Sequence, residues 1–341
     1  MRSLALGLLP MGLLLSSSPT WAASDELSVA IVEREVVTLP RVSQPAVIDG
    51  VGSDTCWAEA RSFRLRAPDG AGPASGTEAR VCRDEATLYA LFSVTDPGSE
   101  RAVRPREGQE WKPEDVPSVE ILVDTGAEAR SYQQLVVSRY NDRLAVKYFG
   151  GGALDDRDWQ PEWQSATTRS KDGFVAEIAV PWASLGLPPI RGSLVGLNLV
   201  VNRSGGNGAL CWQGDVKTML NPAGFGIVAF QMDKDADRPE LFIQDITIVD
   251  GSCSVTVGAR GRGYPSSNFA FFHRLTVPGA RPAESLTAMD LRNHRKSTLV
   301  IGPVRATESG PASLIIAAKR KSEVLCIRAV TFMVEAAPTG R

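Results

Sequence analysis

Apolar and polar residues alternate in short runs along most of this chain, and Gly, Pro, Asp and Asn separate the runs. In the run from 118 to 124, Val119, Ile121 and Val123 fall on one face, whereas Glu120 falls on the opposite face. The same period of two occurs in three other runs, 88–94, 174–180 and 195–201. Two packed antiparallel sheets require one apolar face per strand, so residues 46–232 of this all-β chain are predicted to form an antiparallel β-sandwich.

A charged segment that ends at Pro239 separates this region from a second series of short apolar runs. These runs are 241–249, 252–258, 299–304, 314–318 and 325–334. Their number and spacing predict a smaller β-sandwich of the immunoglobulin or fibronectin kind over residues 239–336. The N-terminal segment 24–45, which precedes the first sandwich, is short and mixed in composition.

The first residues have the pattern of a secretory signal peptide. Arg2 supplies the positive charge, an apolar run extends from 4 to 15, and a peptidase would cut after the small residues Ala22 or Ala23. The apolar run is shorter than the roughly 20 residues that a transmembrane helix needs. We therefore expect residues 1–23 to be removed and the mature protein, without a transmembrane segment, to be secreted or periplasmic.

The charge balance argues against several classes of partner. The chain has 37 Lys and Arg residues, 39 Asp and Glu residues and a formal net charge of −2. This balance gives no reason to expect nucleic acid or an anionic membrane as the partner. The chain has only two His residues, His273 and His294, which makes a His-based catalytic site unfavourable.

The five cysteines of an exported chain allow at most two internal disulfides. Cys253 and Cys326 both lie in the last third and could pair, whereas Cys56, Cys82 and Cys211 lie upstream. Buried free thiols with at most one disulfide are the favoured interpretation. No two cysteines have the CxxC spacing of a typical zinc site.

Several short motifs occur in a fixed order between residues 46 and 232. They are Ile48-Asp49-Gly50, Trp57-Ala58-Glu59-Ala60, the strand pair 77–96, the segment 110–124, Tyr132-Gln133, the strand and Pro-Trp element 172–187, and the closing segments 196–203, 210–212 and 221–226. In this order they resemble the family 9 carbohydrate-binding modules and their wider superfamily. The resemblance implies a β-sandwich that binds sugar and carries out no catalysis.

The two opening motifs are interpreted as scaffold. Asp49-Gly50 is expected to form a turn, because Gly tolerates a positive φ. Trp57 is expected to bury a large apolar ring at the base of the sandwich.

The resemblance also implies a ligand site in which aromatic rings cover the sugar face and polar groups bind its hydroxyls. Trp111 matches the first of two Trp rings that clamp the sugar in this family, and Glu120 matches its carboxylate. Met219 occupies the place of the second ring. The predicted ligand-binding residues are Trp111, Glu120, Asn202, Arg203, Trp212, Lys217 and Met219.

Two of these positions depart from the family pattern. Met219 is flexible and non-planar, so it covers a sugar face only loosely. Val136 stands where a polar sugar contact is expected. The fold can therefore be retained while the sugar site is lost or retuned, and Trp111 and Glu120 have the alternative roles of a packing ring and a solvated or ion-paired carboxylate.

No cofactor is predicted, and the evidence for a metal or an enzyme is weak. Asp155, Asp156 and Asp158 follow three glycines and could bind Ca²⁺ through oxygen ligands, although most such clusters are solvated loops. Glu120 and Glu177 could form a hydrolase pair only if they faced each other across a cleft. We therefore expect a protein that is not an enzyme.

The sequence is compatible with three functions. The leading hypothesis is an exported, non-catalytic protein that binds a carbohydrate or envelope polysaccharide. The alternative is a structural envelope protein that keeps the fold and contacts a protein partner, for example through its C-terminal domain. A haem-binding electron-transfer domain is less favoured, because His273 and His294 both lie outside the first sandwich.

Overall fold

The computed structural model describes residues 29–69, 73–106, 110–187, 193–204, 208–215, 218–230, 232, 238–261, 268–291, 296–320 and 323–336. The predicted signal peptide, Lys217 and His294 lie outside the described residues. Among the described residues, none of the helical segments has the length and apolar character needed to cross a lipid bilayer.

The described residues form an almost entirely β protein. The strands are β1 (Ile31–Glu33), β2 (Val36–Thr38), β3 (Arg61–Arg66), β4 (Pro73–Arg83), β5 (Thr87–Thr95), β6 (Ser118–Asp124), β7 (Tyr132–Ser138), β8 (Arg143–Phe149), β9 (Leu154–Asp156), β10 (Gln164–Ser170), β11 (Gly173–Pro181), β12 (Leu194–Asn202), β13 (Ala209–Cys211), β14 (Gly226–Ala229), β15 (Glu240–Val249), β16 (Ser252–Arg260), β17 (Asn268–Thr276), β18 (Ala283–Asp290), β19 (Lys296–Arg305), β20 (Gly310–Arg320) and β21 (Glu323–Val334). A single-turn α-helix, α1, spans Cys56–Glu59, and 3-10 turns span Ser99–Arg101, Pro113–Asp115, Gly150–Gly152, Trp182–Leu185 and Pro222–Gly224.

Strands β2 to β14 form one hydrogen-bonded sheet, which we call the first sheet. Its path is β10-β11-β5-β4-β3-β13-β12-β6-β7-β8-β9, and β14 joins β12 to β2. The neighbours along this path are antiparallel, whereas β14 and β2 are parallel. Phe92, Ile178, Ile121 and Leu199, from opposite ends of the path, belong to one buried cluster. The sheet therefore closes over its own apolar face, which confirms the predicted β-sandwich.

The alternation predicted for β6 is observed. Val119, Ile121 and Val123 all lie in the buried cluster inside the sandwich. Glu120 points to the outer face, beside Val136 of β7 and Val200 of β12. One strand therefore contributes both to the core and to the surface on which the candidate site is built.

The strands after residue 239 form two further sheets, which we call the C-terminal sheets. One has the order β1-β21-β20-β17-β18 and the other β15-β16-β19. Val255, Ile301, Leu314 and Phe332, from both sheets, share one buried cluster. The sequence pattern indicated most of these strands but missed β17 and β18.

The N-terminal segment connects the two parts of the molecule. β1 pairs with β21 of the C-terminal sheets, and β2 pairs with β14 of the first sheet. Between β1 and β2, the buried Arg34 donates hydrogen bonds to the Phe225 carbonyl and to Ser313 Oγ, 2.5 Å away. Burial lowers the pKa of this guanidinium to about 10.

All five cysteines are free thiols. Cys253 is buried in the interior shared by the C-terminal sheets, whereas Cys326 packs against a different cluster, so these two do not pair. Cys56 and Cys82 share a buried cluster with Trp57. Burial raises the pKa of the Cys82 thiol to about 12.

Candidate functional site

The opening motifs are scaffold, as predicted. Gly50 has a φ of +82°, in the left-handed region, and Trp57 is buried. Glu177 of β11 holds both: the Trp57 indole Nε1 donates to Glu177 Oε1 over 2.9 Å, and the Gly50 N–H donates to Oε2 over 2.7 Å. Desolvation raises the pKa of this buried carboxyl, and the three hydrogen bonds it accepts there, one of them from the Asp49 N–H, oppose the shift.

A groove of about 1030 Å³ lies over the outer face of β6, β7, β8 and β12. The chain segments 97–102 and 112–117 form its walls, and Met219 and Leu220 close one side. Asn198 of β12 supports that side, because its Nδ2 donates to the Met219 carbonyl over 2.8 Å. The groove is therefore built on four consecutive strands of the first sheet, β12, β6, β7 and β8.

Three polar side chains from adjacent strands form the groove floor. Glu120 is only 2% exposed, and it accepts hydrogen bonds from Gln134 Nε2 at 2.5 Å and Asn202 Nδ2 at 2.6 Å. Asn202 Nδ2 also donates to Ser118 Oγ at 3.0 Å. Since both amide groups donate to the carboxylate, their carbonyl oxygens remain available as acceptors for a ligand.

Burial raises the pKa of Glu120, and the hydrogen bonds from Asn202 and Gln134 oppose the shift. A carboxylate held by two amide donors in a desolvated floor is a strong acceptor for a ligand hydroxyl. Together, the carboxylate and the amide oxygens can bind neighbouring hydroxyls of one polyol.

Cationic side chains surround this floor. Lys112, Arg101, Arg157 and Arg203 all line the groove. Arg157 is bound on its outer side by Asp155 at 2.8 Å and Glu110 at 3.1 Å. The walls therefore offer these cationic donors beside the carboxylates of Glu114 and Asp115, while the floor offers acceptors.

The acidic cluster considered for Ca²⁺ has other partners. Asp155 pairs with Arg157, and Asp156 Oδ1 accepts the Asp158 N–H over 3.0 Å. Across the described ranges, no group of three or more His, Cys, Asp and Glu side chains is placed to hold a metal ion. The residues that are present do not form a calcium site of the expected kind.

Four of the seven predicted ligand residues lie together in the groove wall or floor: Glu120, Asn202, Arg203 and Met219. Trp111 is half-buried and immediately precedes Lys112, but the described residues that line the groove do not include it. Lys217 lies outside the described residues.

Trp212 belongs to the interior instead of the groove. It is 1% exposed, its Nε1 donates to Glu35 Oε2 over 2.9 Å, and its ring meets Phe63 edge to face at 4.7 Å. It directly follows β13 and packs in the interior cluster of the first sheet, where its ring fills the space above Gly226. Its position in the sequence next to groove residues did not reveal this interior packing.

The sequence interpretation also missed groove residues. Gln134 lies on the same face of β7 as Val136, two residues before it, and it lines the groove and donates to Glu120. Tyr148 of β8 lines the groove as well. The pairing of β6 with β7 and of β7 with β8 puts Gln134 and Tyr148 on the same face of the sheet as Glu120. Knowledge of this strand pairing would have identified both residues.

The hydrolase and haem alternatives have no support in this arrangement. Glu177 is engaged by Trp57 and the Asp49-Gly50 turn, and it is not among the described residues that line the groove with Glu120. His273 is buried in β17 of the C-terminal sheets, where desolvation lowers its pKa.

Residues 48–231, more than half of the chain, match the family described as carbohydrate family 9 binding domain-like. The chain is 28% identical over 147 residues to the exoglucanase XynX of Acetivibrio thermocellus and 26% identical over 156 residues to endo-1,4-beta-xylanase A of Thermoanaerobacterium saccharolyticum. These matches cover 43% and 46% of this chain but only 12% of each relative.

Solved structures give weaker likenesses. A putative beta-galactosidase from Bacteroides fragilis has a TM-score of 0.22 and 10% identity over 73% of this chain and 33% of its own. A beta-glucuronidase from Bacteroides uniformis has a TM-score of 0.21 and 9% identity over 79% of this chain and 31% of its own. At such scores the likeness carries no argument about this protein.

Proposed function

Because this chain belongs to the carbohydrate family 9 binding domain-like family through residues 48–231, we propose that it is an exported, non-catalytic protein that binds a glycan or envelope polysaccharide in the groove. The groove over β6, β7, β8 and β12 is the proposed binding site. The N-terminal pattern of Arg2 and the apolar run 4–15 supports export, to the periplasm or out of the cell.

The arrangement of Glu120, Gln134 and Asn202 on the groove floor is the observation that carries this proposal. A sugar hydroxyl both donates and accepts hydrogen bonds, so a site for it needs acceptors and donors at close spacing. The floor supplies a charged acceptor and two amide oxygens, and the walls supply the donors of Lys112 and Arg203. Buried polar groups whose hydrogen bonds are completed by a ligand also bind more weakly to ligands that lack matching hydroxyls, because the groups are then left unpaired.

The non-catalytic role is supported by the separate surroundings of the two buried carboxylates, Glu120 and Glu177. A glycosidase needs two carboxyl groups that flank one bond. Here Glu120 is fixed by amides in the groove, and Glu177 is fixed by the Trp57 indole. The two relatives are named as an exoglucanase and an endo-1,4-beta-xylanase, and these names suggest cellobiose and xylobiose as the first probes.

The proposal is tested by calorimetric titration of the mature chain, residues 24–341, with cellobiose and xylobiose, together with a glycan array. We expect the wild-type protein to bind and Glu120→Gln to bind about tenfold more weakly or worse, because a charged acceptor becomes a neutral amide that opposes its donors. Glu177→Gln is the matched control, since it changes a buried carboxyl outside the groove and should leave the affinity of the folded protein unchanged.

Met219 supports a second candidate function, a structural envelope protein that retains the fold for protein contacts. Its flexible side chain lines the groove where the family has a clamping ring. A wild-type protein that is silent on the array and in both titrations, and that captures a defined protein partner, would favour this candidate over the first.

A further inference from the structure

Two tyrosine rings are stacked at one end of the groove floor. Tyr132 of β7 and Tyr148 of β8 are directly paired in the sheet, and their ring centroids are 4.7 Å apart with an interplanar angle of 15°. Phe225 meets the Tyr132 ring edge to face at 5.4 Å. The stack is therefore held from behind by an aromatic residue of the core cluster under the groove.

Of the two stacked rings, Tyr148 faces the groove and Tyr132 lies behind it. Tyr148 lines the groove and is half-buried, whereas Tyr132 is 5% exposed and is not among the described lining residues. Tyr132 thus supports one side of the Tyr148 ring. Tyr148 therefore contributes an aromatic ring to the groove lining, and the stack on Tyr132 holds the orientation of that ring.

The separation between the stacked tyrosines and the polar floor bears on whether one sugar can contact both. Tyr148 is on β8 and Glu120 is on β6, with Gln134 on the strand between them. Glu120 is level with Leu144 across β7, and Tyr148 lies four residues further along β8. Two strand spacings of about 4.8 Å and four rises of about 3.3 Å place the two backbones roughly 16 Å apart, and both side chains line the groove between them. A sugar ring between them can present its C–H face to Tyr148 while its hydroxyls reach Gln134 and Glu120.

We infer that Tyr148, backed by Tyr132, is the aromatic plate of this site and selects ligands that have a flat pyranose face. This inference rests on the proposed function and assigns to Tyr148 the role that the family resemblance implied for Trp111. Met219 and Leu220 close another side of the groove with apolar atoms, and Leu220 is 41% exposed. The sugar therefore has one rigid ring contact and one adaptable aliphatic contact.

The test compares three variants of the mature chain in titrations with cellobiose and xylobiose. Tyr148→Leu keeps a side chain that covers Tyr132 but loses the flat ring, and we expect about a tenfold loss of affinity. Tyr148→Phe keeps the ring and should stay within about threefold of the wild-type affinity, which a role of the hydroxyl would not allow. Trp111→Leu removes the competing ring and should also stay within about threefold.

The outcomes separate the inference from the proposed function. If the wild type and Tyr148→Leu bind with equal affinity, or if only Trp111→Leu loses binding, the assignment of the plate is overturned while sugar binding stands. If the wild type binds neither disaccharide nor any glycan on the array, the proposed function fails and the inference fails with it. Circular dichroism of each variant shows whether a loss of affinity comes from unfolding.

Discussion

Glu120 and Glu177 are buried carboxylates of the same sheet, but their partners give them different roles. Glu120 accepts from two side-chain amides that belong to the groove, and it keeps acceptor capacity for a ligand. Glu177 accepts the Trp57 indole N–H and two backbone N–H groups of the opening turn. Residue type and burial are alike, so only the identity of the donors distinguishes the proposed binding residue from the structural one.

Replacement of Glu177 by Gln should destabilise the fold. The amide presents one oxygen instead of two, so either the Trp57 indole or the Gly50 N–H loses its acceptor in a buried site. We expect a loss of about 1–3 kcal/mol in the free energy of unfolding, measured by urea denaturation. Glu59→Gln, on the exposed side of α1, is the matched control and should change stability by less than about 0.5 kcal/mol. Equal stabilities for wild type and Glu177→Gln would contradict this role.

At the scale of strands, the period of two predicted the face of the sheet on which each residue of β6 lies. It did not predict which residues of the neighbouring strands lie beside them. Val119 and Glu120 were assigned to the correct faces from the sequence. Gln134 was missed, because the pairing of β6 with β7 is set by contacts distant in sequence and not by the pattern within either strand. Val136, where the family resemblance implied a polar contact, is apolar and buried, and Gln134 is the polar residue of β7 that lines the groove.

Trp212 is the opposite case, a residue that the sequence assigned to the site but that lies in the interior. A tryptophan beside predicted ligand residues was assigned to the site, but its ring lies in the interior in the same buried cluster as Leu210 of β13. Strands β17 and β18 were missed since they follow a stretch rich in Gly, Pro and Ser, which interrupts the alternation. The burial pattern of a single strand can be read from its sequence, whereas a site assembled from four strands cannot.

The close contact between β14 and Trp212 allows a test of this interior role. A Cβ added to Gly226 would lie 2.3 Å from Cη2 of the Trp212 ring, and that ring is fixed by Glu35 and Phe63. Gly226→Ala should therefore destabilise the protein by about 1–3 kcal/mol through overpacking. Thermal and urea unfolding measure the loss, and Gly310→Ala is the control because its added Cβ would lie 3.3 Å from Pro278. If the two variants were equally stable, the ring would not be fixed at this place.

At the scale of the whole molecule, the C-terminal sheets dock on a loop that a buried carboxylate shapes. The loop follows β6, and Asp124 Oδ2 accepts the Ala129 N–H at 2.7 Å within it. Arg274 donates to the Gly126 carbonyl of this loop, and Thr276 Oγ1 donates to the Glu128 carbonyl over 2.8 Å. The state of Asp124 is thus coupled to the contact between the first sheet and the C-terminal sheets.

Burial raises the pKa of Asp124 to about 6, while hydrogen bonds from the loop and the charge of Arg34 oppose the shift. Because its unfolded-state pKa is near 3.8, the folded protein keeps this proton up to a higher pH than the unfolded chain does. The resulting contribution to stability is fully present below about pH 4 and is lost as the pH rises through about 6. Its size is about 3 kcal/mol across that window.

Asp124→Asn removes this titration and leaves a neutral side chain whose oxygen can still accept the Ala129 N–H. We expect the variant to lose less stability than the wild type between pH 4 and pH 7, with urea unfolding measured at each pH. Other titrating groups, including Glu120, Glu177 and His273, are common to both proteins and cancel in the difference. Asp172→Asn, at an exposed position, should leave the wild-type pH dependence unchanged. Parallel curves for wild type and Asp124→Asn would show that Asp124 binds no more protons in the folded protein than in the unfolded chain, and would contradict the raised pKa.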